Sequence, residues 1–119
     1  MEYDLAERTK KFSLEIIRVI KKIKLSYLNQ NTIAQLLRSS SSIGANYREA
    51  NGASSKKDFR NKISICRKEA QESEYWIELL AESNPEHKPE LQKLWREAHE
   101  LILIFGKIFS GLKNSKLET

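Results

Sequence analysis

The stretch Ser41-Ser42-Ile43-Gly44-Ala45-Asn46-Tyr47-Arg48-Glu49-Ala50, followed further on by Lys68-Glu69-Ala70-Gln71-Glu72-Ser73-Glu74-Tyr75-Trp76, decides the fold of this 119-residue chain. Both segments carry helical spacing. Each places carboxylates and amides beside its apolar stripe instead of opposite it. A buried polar group left without a partner costs about 1–3 kcal/mol, and a charge more. Asn46, Glu49, Glu69 and Glu72 therefore need partners on neighbouring helices, which argues for a bundle.

Working outward, four helical patterns emerge, separated by short breakers. The first spans about residues 4–24, with Leu5, Thr9, Phe12, Ile16, Val19 and Ile23 at alternating spacings of four and three. Asp4 ahead of Glu7 has the spacing of a capping box. Asn29-Gln30-Asn31-Thr32 interrupts the pattern and offers an N-cap to a second helix over about 32–51. Its middle is small and polar, so a close helix crossing is expected near Ser42 and Gly44. Gly52 offers a left-handed C-cap.

The third helix, about 56–83, shows a seam of Phe59, Ile63, Cys66, Ala70, Ser73, Ile77 and Leu80. A second row of Lys62, Ile65, Glu69, Glu72, Trp76 and Leu79 flanks that seam. Asn84-Pro85 stops the helix, and Pro89 opens the fourth, where a missing N–H does no harm. The fourth covers about 90–113, leaving 115–119 as a polar tail. The expectation is one all-α domain over residues 1–114, an antiparallel up-down-up-down four-helix bundle.

The Leu101-Ile102-Leu103-Ile104-Phe105 run is apolar around much of its helix. It predicts a surplus face that one subunit cannot cover, with Leu101, Leu103, Ile104 and Ile108 at an oligomer interface.

Composition narrows the function classes. With 39% hydrophobic and 31% charged residues, 4 Gly and 2 Pro, the chain reads as a helical globular domain. No apolar run is long enough to span a bilayer, and the N-terminus has no secretion signal, so no membrane partner is expected. Cys66 is the only cysteine, which excludes an intrachain disulfide and a multi-cysteine zinc site. A reducing, cytoplasmic location is the expectation.

Residues 1–68 carry fifteen Lys/Arg against six Asp/Glu, while residues 69–119 carry six against ten. Such asymmetry suits either an anionic partner for the first half or complementary halves in self-assembly. Lys10, Lys11, Arg18, Lys21, Lys22 and Lys24 fall opposite the apolar stripe of the first helix. Lys56, Lys57 and Arg60 add a cluster at the start of the third. Clustered cations on rigid helices are the footprint of phosphate-backbone binding to RNA or DNA. Tyr27 and Tyr47 are candidates for stacking on bases.

Carboxylates reaching inward from two helices are ingredients of a dinuclear metal site. Such sites add Glu-x-x-His pairs, and neither His87 nor His99 has a glutamate three residues before it. The reading is a polar network of Arg38, Ser42, Asn46, Glu49, Glu69 and Glu72, with Arg67 or Lys68 as further partners and no metal or cofactor. His87 is expected in a solvated loop and His99 at the edge of the seam. Neither has a Ser, Cys or Asp at a triad-like spacing, so no catalytic residue is assigned.

Three sets of residues also carry a family likeness. They are Leu36-Leu37-Arg38-Ser39-Ser40 running into the segment quoted first, the Lys56-Lys57-Asp58-Phe59 entry, and Lys68 through Leu80. Together they resemble the 23S rRNA intervening sequence protein family across nearly the whole chain. The resemblance implies a small helical bundle assembled as a ring-like homopentamer. The fold is similar to that of the accessory variability protein of diversity-generating retroelements, a basic pentameric barrel that works with a reverse transcriptase and nucleic acid. A nucleic-acid-associated oligomer is the first reading, a protein–protein scaffold without nucleic acid the second, and a carboxylate metalloprotein the third.

Overall fold

The computed structural model describes residues 4–118, and the side chains of residues 4–112. Its elements are α1 (Leu5–Ile20), α2 (Gln30–Asn51), α3 (Lys56–Ser83), a 3₁₀ turn (Pro85–His87) and α4 (Lys88–Glu118). Facing partners run in opposite order on each pair of neighbours. Ser13 Oγ donates to the Ser40 carbonyl, Arg38 meets Glu69, Lys62 meets Glu49, and Trp95 meets Glu78. The helices therefore alternate up and down in an all-helical bundle measuring 52 × 22 × 21 Å.

The core follows the spacing. Leu5, Phe12, Ile16 and Val19 of α1 are buried, as are Ile63, Cys66, Ala70, Ser73, Ile77 and Leu80 of the α3 seam. Each large apolar side chain taken out of water contributes about 1.5–3 kcal/mol. The packing is uneven, because α3 lies along both α2 and α4, whereas α1 packs on α2 and less extensively on α4.

Helix α1 ends at Ile20, earlier than its apolar spacing implies. Lys22 and Ile23 bond three residues back, to Val19 and Ile20. This tightening turns Ile23 into the core at 8% exposure while the chain reverses. Asn29 precedes α2 without capping it. Its side chain instead closes the loop, accepting from the Ser26 N–H at 2.8 Å and donating to the Lys24 carbonyl at 2.9 Å. Helix α2 consequently starts at Gln30 rather than Thr32.

At the other termini, Asp4 accepts from the Glu7 N–H and Ser55 from the Asp58 N–H. Gly52 has φ −99°, so it does not supply the left-handed cap its position offered. Helix α4 continues to Glu118, because Ser115-Lys116-Leu117-Glu118 contains no breaker. The expected polar tail is thus helical through that residue, and Thr119 lies outside the described residues.

The crossing expected near Gly44 is present. A Cβ built on Gly44 would stand 3.1 Å from Thr9 Oγ1 and 3.4 Å from Thr9 Cβ. Thr9 is itself fixed, its hydroxyl donating to the Leu5 carbonyl at 2.6 Å. Any larger residue would require Thr9 to give way by a few tenths of an ångström.

The α4 apolar run requires a correction. Leu101, Ile102, Ile104 and Phe105 are all buried within the subunit, because α4 is covered by α3 on one side and α1 on the other. Ile108 is partly buried against the core. Of the four residues expected at an oligomer interface, Leu103 alone is well exposed, at 55%.

Candidate functional site

Two regions gather the polar residues that the sequence singles out. The first lies between α2 and α3. Arg38 projects from α2 and bridges two carboxylates one turn apart on α3, donating through Nη1 to Glu69 at 2.8 Å and through Nη2 to Glu72. Its Nε donates to Gln35, and the indole N–H of Trp76 approaches Glu72 at 3.5 Å. Beneath them Ser39 and Ser73 exchange a hydroxyl hydrogen bond at 2.8 Å, and Ser73 also donates to the Glu69 carbonyl.

Glu69 is the buried member, at 5% exposure, whereas the Arg38 side chain is 47% exposed. The hydrogen bond to Glu69, reinforced by Glu72, holds the Arg38 guanidinium above its ordinary value. Partial burial works against ionisation of Glu72. The bonds from Arg38 and Trp76 outweigh it and leave that carboxyl below the usual range. The arrangement locks α2 to α3 with charge supplied wholly by the chain.

The six residues expected as one network form three separate groups. Arg38, Glu69 and Glu72 make the bridge. Ser42 and Asn46 bond each other along α2, Asn46 Nδ2 donating at 2.9 Å to both the carbonyl and the hydroxyl of Ser42. Glu49 turns outward to Lys62 at 2.8 Å, raising the lysine's pKa. Their one-turn spacing on α2 spreads these groups along the helix, so a single bridge cannot hold them.

The second region is basic and also divides. Lys10, Lys11, Lys21 and Lys24 are exposed and have no ion pair among the described residues. Arg18 pairs with Glu15, and Lys22 with Glu90 at 2.7 Å. Lys56 and Lys57 are exposed, but Arg60 lies 4.2 Å from the centre of the Phe109 ring, with its Nε buried. Arg60 is thus a packing residue before it is a phosphate ligand.

Members of the α1 and α3 clusters stand at different heights along the bundle. Lys22 sits beside Glu90 at one end of the bundle, while Arg60 meets Phe109 toward the other. Along α4 these points are 19 residues apart, or roughly 28 Å at the helical rise.

Sequence reasoning missed a polar ladder between α3 and α4. His99 faces Glu74 at 2.9 Å, the Trp95 ring stacks on His99 at 5.1 Å, and the indole N–H donates to Glu78 at 2.8 Å. These contacts cross between helices, so no local spacing announces them. His87 is not a solvated loop residue, since its side chain is 18% exposed and faces Glu90. The three-residue interval between His87 and Glu90 was the available signal. Cys66 is buried, and burial pushes its thiol up to about 12. Tyr47 packs toward Phe105 at 6.1 Å, whereas Tyr27 is 88% exposed.

The fold and these surfaces define a small all-α bundle with a carboxylate pair bridged by one arginine and an exposed basic first helix. The chain belongs to the 23S rRNA-intervening sequence protein family, whose model matches residues 1–107. It is similar to a crystal structure described as a protein with unknown function from the S23 ribosomal protein family of Bacteroides thetaiotaomicron VPI-5482. The two share 32% identity over 88% of this chain and 97% of that one, with a TM-score of 0.76. No functionally curated protein matches the sequence. Among the described residues, no helix is long and apolar enough to cross a membrane.

Proposed function

We propose that the chain is a non-enzymatic, cytoplasmic, homo-oligomeric bundle that associates with RNA or DNA through phosphate contacts made by α1. The observation that carries this reading is the set of lysines at 10, 11, 21 and 24, exposed and without an ion pair among the described residues. Phosphate oxygens are the natural partners for such ammonium groups, and contacts of this kind carry little sequence information. Tyr27, exposed on the loop after α1, adds a ring available for base stacking.

The non-enzymatic reading rests on the state of the reactive groups. Cys66 is buried with a raised pKa, and both histidines face glutamates. Glu69 and Glu72 already share Arg38, which disfavours a carboxylate metal centre. The homopentamer enters this proposal from the family resemblance.

The test is the salt dependence of binding to single-stranded RNA and duplex DNA. Each phosphate neutralised contributes a slope of about −0.9 in log K against log salt on duplex DNA, and about −0.7 on single strands. Replacing Lys10, Lys11 and Lys21 by Gln should weaken binding equally across sequences and flatten that slope. A scaffold reading without nucleic acid draws on a different observation, the apolar side chains exposed after α1.

A further inference from the structure

Two arginines of α3 lie across α4 with no acid to meet them. Arg60 sets its guanidinium 4.2 Å from the centre of the Phe109 ring. Arg67 lies over Gly106, where a built Cβ would stand 3.5 Å from its Nε and 3.6 Å from its Cζ. The ring seats one guanidinium, and the missing side chain makes room for the other. Neither arginine has an ion pair or a hydrogen bond among the described residues. The Nε of Arg60 is buried without a partner, which leaves its Nη groups as the donors open to a ligand.

The helix register makes the two guanidiniums converge. Glu78 faces Trp95 and Glu74 faces His99, so in the same register Arg67 faces residue 106 and Arg60 faces residue 113. Arg60 instead reaches back one turn to Phe109, and so toward Arg67. Gly106 and Phe109 are three residues apart on one face of α4, where such neighbours are roughly 5–6 Å from each other. One phosphate accepting at about 2.7–2.9 Å from each guanidinium spans that interval.

The surroundings add cations and withhold anions. Residues 56–68 hold six Lys/Arg against one Asp/Glu, and residues 101–117 hold three against none. That one acid, Asp58, acts on Lys62 together with Glu49, on the side of α3 that meets α2. Glu74, two turns beyond Arg67, is engaged by His99. Lys57 and Lys107 are exposed and have no ion pair among the described residues. Arg38 gives the contrast, since the chain itself supplies the two carboxylates it bridges. Two like charges held within a turn of each other repel, and an anion between them removes the repulsion.

Charge selects among anions. A backbone phosphodiester brings one negative charge, whereas a phosphate monoester brings about 1.5 to 2 at neutral pH, on three acceptor oxygens. We propose that Arg60 and Arg67 form a site for a phosphate monoester, carried by a free nucleotide or by the phosphorylated end of an RNA strand. The site stands on α3 and α4, apart from the α1 lysines of the proposed function, and does not depend on them.

The experiment titrates the full-length protein calorimetrically with adenosine 5′-monophosphate, adenosine and the cyclic 3′,5′-diester. It then compares one short RNA bearing either a 5′-phosphate or a 5′-hydroxyl. The monophosphate should bind at least about tenfold more tightly than adenosine, which is the gain from one charge-assisted hydrogen bond, and more tightly than the cyclic diester. Arg67→Gln and Arg60→Gln should each abolish that preference at unchanged helicity. Arg67 is exposed, so its variant decides the matter if loss of the Phe109 contact unfolds the other. The Lys10, Lys11 and Lys21 to Gln variant should keep the preference. A larger gain from the phosphate on the strand than on the nucleoside assigns the site to RNA ends. A gain on the nucleoside alone assigns it to free nucleotides. The site is overturned if neither the monophosphate nor the 5′-phosphate gives any gain, or if the cyclic diester binds as tightly. It is overturned equally by a preference that survives Arg67→Gln, or by one that is lost with the α1 lysines.

Discussion

Helices α1 and α3 treat their polar residues in opposite ways. On α3, the carboxylates beside the seam are matched from within the chain: Glu69 and Glu72 by Arg38, Glu74 by His99, Glu78 by Trp95. On α1 and the loop after it, four lysines and several large apolar side chains face solvent without such partners among the described residues. A polar residue matched internally informs about stability. A surface that stays unmatched on an ordered scaffold is where a partner is to be sought.

The largest effect should come from breaking the match on α3. Arg38→Ala leaves Glu69 buried and without its cation. Breaking a fully buried pair costs about 3–5 kcal/mol, and the half-exposed Arg38 reduces this to about 2–3 kcal/mol. Denaturant unfolding should show it, against exposed Glu100→Ala as a near-neutral control. The double substitution Arg38→Met with Glu69→Leu should recover most of the loss, because the one carboxylate left without its cation, Glu72, is 30% exposed and reaches water.

A smaller effect is expected where α1 crosses α2. Gly44→Ala improves helix propensity but drives a methyl against Thr9, whose hydrogen bond to Leu5 opposes its retreat. The net should be a loss of about 1 kcal/mol in thermal or chemical unfolding. Thr9→Ala in the same chain should turn Gly44→Ala from a loss into a gain. On α1 itself, the Lys10, Lys11 and Lys21 substitutions to Gln should change stability by less than about 0.5 kcal/mol.

A further small effect is acid sensitivity. Glu72 has its folded pKa held below its unfolded value, so its contribution is complete above about pH 4.3. That contribution disappears as pH falls through the lower, folded value. It should be worth about 0.5–1 kcal/mol, measured as the change in unfolding free energy between pH 6 and pH 3. In Glu72→Gln that part of the acid dependence should vanish.

Much of this contrast is legible in the sequence. The bounds of α3 and its seam follow from an uninterrupted four-three spacing, and the Gly44 crossing follows from small residues in mid-helix. Helix ends are less legible. The four-three rhythm continues through Ile23, yet the chain turns there because Ile23 reaches the core from a tightened turn. The Arg38–Glu69–Glu72 bridge is partly legible: buried acids demand a cation, but spacing cannot say which one crosses over. Arg60 and Lys22 have the same formal charge as Lys10, and only packing shows that one lies on Phe109 and the other meets Glu90. The apolar run 101–105 misleads because burial depends on how many neighbours flank α4, which composition does not record.

One measurement tests the outward role of α1 most directly: RNA and DNA binding by the wild-type protein as a function of salt, beside the Lys10, Lys11 and Lys21 to Gln variant. The predicted result is binding at about 50 mM salt that weakens log-linearly as salt rises, with a shallower slope in the folded variant. No binding of either nucleic acid at that salt, or an identical slope in wild type and variant, contradicts it.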